Sequence, residues 1–128
     1  MTWRGWEDFV PPSQAVPARK SKYGAEPTTV DGLRFASKRE AARYRVLKLR
    51  MQAREIRNLQ CQPIFALKTI NGVEVAQYVA DFEYDEIGPL GWGDWVHVVE
   101  DVKGARTDVY KLKKRWFEKQ YGITIRET

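Results

Sequence analysis

Two adjacent acids and a lysine stand where a buried strand should run. In VVEDVKG, residues 98–104, the apolar flanks read as a strand interior, yet Glu100, Asp101 and Lys103 lie inside it. Charged side chains are rarely buried without a partner. Alternate residues of a strand share a face. Asp101 and Lys103 therefore point the same way, with Val99, His97 and Trp95, while Glu100 points the other way with Val98 and Val102. A further acid lies upstream, in VEVAQYVADFEYDEI. If the chain folds back around Gly91, Asp81 falls directly opposite Asp101, with Cβ atoms about 4.5–5.5 Å apart. Two carboxylates that close repel, and one tends to stay protonated unless a cation joins them. Hard oxygen ligands favour Mg2+. Taken singly, Asp81 reads equally as an exposed strand-end acid, and Asp101 with Lys103 as an ion pair at a sheet edge. Their combination is what points to a cation.

Glu40 adds a third acid. On a helix it shares a face with Tyr44, Leu47 and Met51, four, seven and eleven residues on, which is the apolar, inward face. Glu40 also completes S-K-R-E, a capping box opened by Ser37. A first-turn carboxylate can cap its helix and still look toward a metal.

Coarse element signals place these residues. TTVDGLRF reads as a small hairpin around Asp31-Gly32. A helix follows from Ser37 to about Ala53, carried by Ala41, Tyr44, Leu47, Leu49 and Met51. QPIFALKTI is a strand, Asn71-Gly72 a hairpin turn, and residues 73–87 one long second strand. GPLGWGD, residues 88–94, is a breaker-rich loop, and WVHVVEDVK the third strand. Thr107 caps a second helix that Gly122 ends, and ITIR is a final strand. Helix, three strands, helix and strand make an α/β domain with a central mixed sheet flanked by helices, spanning residues 29–128. Residues 1–28, with PPSQAVPARKSKYGAEP, read as a basic, Pro-containing flexible tail in which Trp3 and Trp6 either dock on the domain or grip a partner.

Composition narrows the class. A chain of 128 residues is one domain's worth, and 43% hydrophobic with 12% aromatic residues fits an ordered core. The single Cys61 excludes an internal disulfide and a multi-cysteine zinc site. No apolar run approaches membrane-spanning length, and MTWRGWEDFV lacks a signal-peptide core; the expected compartment is the cytoplasm. The net charge of +5 is unevenly spread: residues 34–57 and 103–120 are rich in Lys and Arg, whereas 74–101 contain neither but hold eight acids. Basic flanks around an acidic centre suit a polyanion held over a cation site, although solvated helix faces account for basic runs as well.

D…D-x-K on neighbouring strands, preceded by a helix bearing Glu, resembles the PD-(D/E)xK nuclease superfamily, which shares the helix–three strands–helix–strand order of a restriction-endonuclease-like core. More closely, KYG, VDGLRFASKREAARYRVLKL, QPIF, YVADFEY, VVEDVKG, TDVYKLKKRWF and YGITI resemble an uncharacterised phage-borne family over residues 22–127. The resemblance implies Mg2+-dependent hydrolysis of DNA phosphodiesters, with Mn2+ able to substitute. Asp81 and Asp101 correspond to the motif acids and Lys103 to its lysine, while Glu40 matches the helix-borne glutamate of Holliday-junction resolvases. Asp81, Asp101, the Val102 carbonyl and Glu40 would hold the metal, which lowers the pKa of a bound water, and Lys103 would orient that water or stabilise developing charge. Ala80 stands where the motif name has Pro, Asp101 replaces the more usual Glu, and Glu100 beside it is an alternative ligand.

Around this centre, Arg39, Arg43, Lys111, Lys114 and Arg115 are candidates for phosphate contacts. His97 reads as a packing or surface residue, and Gln60 and Gln62 either as substrate contacts or, equally well, as residues of a turn before the first strand. Trp92 and Trp95 read as core, with stacking on an opened base as the alternative. The expectation is an endonuclease for branched or junction DNA, working as a homodimer in the host-cell cytoplasm if phage-encoded. The alternatives are a nicking subunit of a larger recombination or packaging complex, and a nuclease-like module that binds DNA without cutting it.

Overall fold

The structure, a computed structural model, describes residues 26–102 and 106–128. Its contacts group into two compact units, Met1–Ala41 and Ala42–Thr128.

In the first unit, β1 (Thr28–Val30) and β2 (Leu33–Phe35) form an antiparallel hairpin. Asp31 and Gly32 both take positive φ, 53° and 76°, as a two-residue type I′ turn requires. Helix α1 (Lys38–Gln52) starts immediately after Ser37. The Ser37 hydroxyl accepts the Glu40 N–H at 3.2 Å, and the Glu40 carboxylate accepts the N–H of Ala36, also at 3.2 Å. The return bond of the capping box thus lands one residue earlier than usual.

The second unit contains the rest of α1, a mixed four-stranded sheet in the order β3-β6-β7-β8, and a separate β4-β5 ladder. Strands β3 (Ile56–Cys61) and β4 (Ile64–Lys68) run out to a turn, and β5 (Glu74–Val79) and β6 (Phe82–Gly88) return. The expected single strand over 73–87 is therefore two strands, broken at Ala80-Asp81, and β3 precedes the strand expected at QPIFALKTI. Pro63 is the physical reason, since it has no N–H to donate to a ladder, and Gln62 beside it takes φ 55°. Two bonds cross the break: Gln62 N–H to the Asp81 carbonyl at 2.9 Å and Ala80 N–H to the Pro63 carbonyl at 3.1 Å. At the far end Gly72 takes φ 83° and its N–H bonds the Thr69 carbonyl, a three-residue loop closed by glycine.

Strand β7 (Gly91–Asp101) starts within the stretch read as a loop, and only Pro89 and Leu90 form the turn. Its pairing with β6 is regular from Phe82↔Glu100 to Ile87↔Trp95, then shifts to Gly88↔Gly91. Gly91 and Gly93, both at positive φ, absorb the extra residues in a bulge. Helix α2 (Asp108–Tyr121) has the expected ends: the Thr107 side chain accepts the Tyr110 N–H, and Gly122 is left-handed. The final strand β8 is Arg126–Glu127, parallel to β7 and later than ITIR, because Ile125 is drawn into the core and Ile123 packs against it. Over the described residues the architecture is α/β, with a mixed central sheet and two helices. No described helix is long and apolar enough to cross a membrane.

One core joins Leu67, Tyr78, Ala80, Val99, Phe117 and Ile125, with Phe65 edge-on to Phe117 at 4.8 Å. A different set of side chains ties α1 to the sheet. Ala41, Tyr44 and Leu47 are buried, but Leu49 and Met51 are exposed; the stripe that includes Arg43 and Arg50 faces the sheet instead. Arg43 grips Glu100 with two bonds, Nε at 2.6 Å and Nη2 at 2.9 Å. Arg50 and Arg126 converge on Glu86, and the Arg126 bonds hold its carboxyl down at about 2.

Removing one member of a buried pair leaves an uncompensated charge, costing about 3 kcal/mol or more. Arg43→Ala is expected to lower unfolding stability by roughly that amount in urea titrations. Replacing both partners, Arg43→Met with Glu100→Leu, is expected to recover more than half of the loss.

Candidate functional site

Asp81 sits at the break between β5 and β6, and Asp101 at the last position of β7. The regular β6–β7 pairing ends at Phe82↔Glu100 and is centred on Gly91, as the sequence suggests; the Asp81 N–H donates to the same Glu100 carbonyl at 3.1 Å, so Asp81 lies beside the end of β7, where Asp101 stands. Asp81 is half-buried, and its Oδ2 accepts the Val102 N–H at 2.6 Å, which ties the chain leaving β7 to the break. Asp101 is only 2% exposed and takes a hydrogen bond from the Tyr78 hydroxyl. Burial, reinforced by that bond, pushes the Tyr78 phenol up, so it remains a donor.

Glu100 is separated from this pair by strand alternation. It is 0% exposed, and all its partners belong to the chain: Arg43 on both oxygens, the Tyr84 hydroxyl at 2.6 Å and the Thr128 hydroxyl at 3.3 Å. Its carboxylate holds the fold together, and Asp101 points to the other face of β7. In VVEDVKG the two acids thus have different work on different faces.

The other expected site residues are distributed as follows. Glu40 belongs to the first unit, where its carboxylate caps α1; Arg39, in the same unit, is exposed. Lys103 lies outside the described residues, as do Trp3 and Trp6. Val102 is buried, with its N–H committed to Asp81. Arg43 is committed to Glu100 rather than presented to solvent. Lys111 and Arg115 are exposed on α2, while Lys114 lies 3.9 Å from both Glu118 and Glu127. Gln60 lies in β3, opposite Glu83, and Gln62 at the break, so neither is a simple turn residue. Trp92 is 77% exposed and therefore not core; it meets Trp95 edge-on at 6.3 Å, and Arg57 lies over the Trp95 ring at 4.3 Å.

Two contributors escaped the sequence reading. Tyr78 lies on β5, and the break at Ala80-Asp81 destroys the parity that would have linked it to Asp101. Glu127 pairs with Asp101 across the parallel β7–β8 register and accepts bonds from Tyr110 at 2.7 Å and Arg106 at 3.0 Å. Arg106 and then Tyr110 hold the Glu127 carboxyl below its usual range. The composition of the final residues carries no signal of that pairing.

In kind, the donor set fits a hard divalent cation: Asp81 and Asp101 would supply carboxylate oxygens, without the thiolates or imidazoles that zinc prefers. Among the described residues no group of three His, Cys, Asp or Glu side chains is close enough to hold an ion.

Along the same face of the sheet, His97 bonds Asp85 through Nδ1 at 3.0 Å and Glu83 through Nε2 at 2.8 Å. Partial burial lowers its pKa, but the two carboxylates outweigh this and the net direction is upward. A raised histidine pKa stabilises the fold fully below the unfolded value near 6.5, and that contribution disappears as pH rises through the folded value. The unfolding midpoint is therefore expected to fall across a step above pH ~6.5, and His97→Gln to remove the step; equal pH profiles for both proteins would contradict this role.

No curated protein and no solved structure matches the chain. A family described as protein of unknown function (DUF1064) matches residues 20–127. The match covers most of the sequence, and the chain belongs to that family.

Proposed function

We propose that the protein is a metal-dependent DNA endonuclease with a restriction-endonuclease-like core. The observation that carries this reading is the placing of Asp81, half-buried at the point where β5 gives way to β6, against the end of β7 that bears the almost wholly buried Asp101: Asp81 bonds the Glu100 carbonyl and the Val102 N–H on either side of it. Burying two neighbouring carboxylates is costly unless positive charge completes them. If β3 with β4 and β5 with β6 are each counted as one bent strand and the β1–β2 hairpin is set aside, the order becomes α-β-β-β-α-β, which supports the core assignment.

In this reading Asp81 and Asp101 would hold Mg2+, with Mn2+ as a substitute, and the Val102 backbone is a further candidate ligand. When bound, the cation supplies Lewis acidity to the scissile phosphate and to the attacking water. Tyr78 fixes the Asp101 carboxylate by hydrogen bonding to Oδ2, and the Val102 N–H does the same for Asp81. Lys103, the final member of D-x-K, orients the water or stabilises charge on the phosphate. Branched DNA is the preferred substrate by the resemblance to junction resolvases, and paired cuts across a junction call for a homodimer.

One observation favours a second reading. Both acids accept hydrogen bonds from the chain itself, so they could serve structure in a module that binds DNA without cutting it.

The test incubates labelled four-way junction, flap and linear duplex DNA with Mg2+, Mn2+ or EDTA. Metal-dependent cuts paired across the junction are expected. Asp101→Asn should lower the rate by at least about 100-fold, the upper end of what losing an outer-shell partner costs, and Lys103→Met should also abolish cutting. Equal nicking of every substrate would keep the nuclease and remove junction specificity, whereas binding without cuts, indifferent to EDTA, would establish the second reading.

A further inference from the structure

We propose that a groove between the outer end of β4 and helix α2 binds an unpaired stretch of the DNA substrate. The groove has a volume of about 480 Å3 and is lined by Lys68, Ile70, Leu112, Arg115, Trp116 and Lys119, together with Thr69 and Gln120. Its apolar members are unusually open to solvent: Ile70 is 104% and Leu112 57% exposed. Its framework is nonetheless fixed. The Trp116 indole N–H donates to the Lys68 carbonyl at 3.0 Å, and Gln120 accepts the Lys68 N–H at 2.8 Å while donating to the Ala66 carbonyl at 3.0 Å.

Charge selects the occupant. Three cations line the groove with no acid among them, and none of the three has an ion pair among the described residues. An aromatic and aliphatic surface edged by unpaired cations suits bases laid on the apolar part and phosphates held by the rim. Paired bases in a duplex cannot offer their faces to such a surface, so the chemistry favours an unpaired strand. Lys68 pairs with Glu74, seven positions along the strand from Asp81. At ~3.3 Å per residue the groove lies roughly 20 Å from that carboxylate, within reach of a strand leaving the cut site. The assignment rests on the reading of the protein as a DNA-acting one, and adds to it which part of the DNA is held away from the cut.

Binding is measured in EDTA, where cleavage plays no part, using a labelled ~15-nucleotide single strand and a duplex of equal length across a salt series. Lys68→Glu with Lys119→Glu is expected to weaken single-strand binding by at least 10-fold and to reduce the salt slope by about two. Leu112→Ser, an exposed change that spares the hydrogen-bonded framework, should weaken single-strand but not duplex binding. Unchanged single-strand affinity in the charge variant would overturn the proposal. So would an equal loss for both DNAs in Leu112→Ser, or competition by polyglutamate as effective as that by DNA, which would mark a site for acidic protein. Cleavage by the same proteins in Mg2+ separates the two readings. A groove that binds as expected in a protein that never cuts removes the endonuclease and leaves the groove. Normal cutting with an indifferent groove does the reverse.

Discussion

Two carboxylates on consecutive strand residues must point to opposite faces, and at Glu100 and Asp101 both faces are buried. Most of the second unit can be understood as the consequence. On one face Glu100 draws Arg43 from α1, Tyr84 from β6 and Thr128 from the C-terminus onto a single carboxylate, so one buried charge connects the helix, two strands and the chain end. On the other face Asp101 accepts a hydrogen bond from the neutral Tyr78 phenol, with Asp81 close by at the end of β7. The first carboxylate thus has its compensating guanidinium within the chain, as a buried charge requires.

The break in the long hairpin is what places Asp81 beside the end of β7. Pro63 and the left-handed Gln62 interrupt the ladder, and the crossing bonds at Gln62 and Ala80 re-anchor it around Asp81. Beyond the break, β4 and β5 carry the aromatic core under α2; before it, β3 and β6 carry the sheet under α1. Asp81 therefore stands at a junction of two ladders, a position at which a side chain can be half-buried and still approached.

Local signals were legible wherever a residue acts through its own backbone. Asp31-Gly32 specified a type I′ turn, Ser37 and Thr107 capped their helices, Gly122 ended one, and the position of Gly91 gave the β6–β7 register as far as Phe82↔Glu100 even though the turn proper is Pro89-Leu90. What escaped were features decided by distant partners. Strand β3 begins in a polar stretch, IRNLQC, whose pairing depends on β6. The isoleucines near the end were read as a strand but serve the core, leaving Arg126 and Glu127 to pair. Arg43 looked like a solvent-facing cation because nothing local reveals that Glu100 lies buried across the sheet. Tyr78 was hidden by the broken parity. Periodicity reads one element at a time, and these residues are placed by contacts between elements.

The central claim is that Asp81 and Asp101 form a cation site. Calorimetric titration of Mn2+ into the metal-free protein and into Asp81→Asn addresses it without any assumption about substrate. Saturable binding in the parent protein that disappears in the variant, with the fold retained by circular dichroism, is the expected result. Absence of binding in the parent, or an unchanged isotherm in Asp81→Asn, would show that the two acids do not hold a metal.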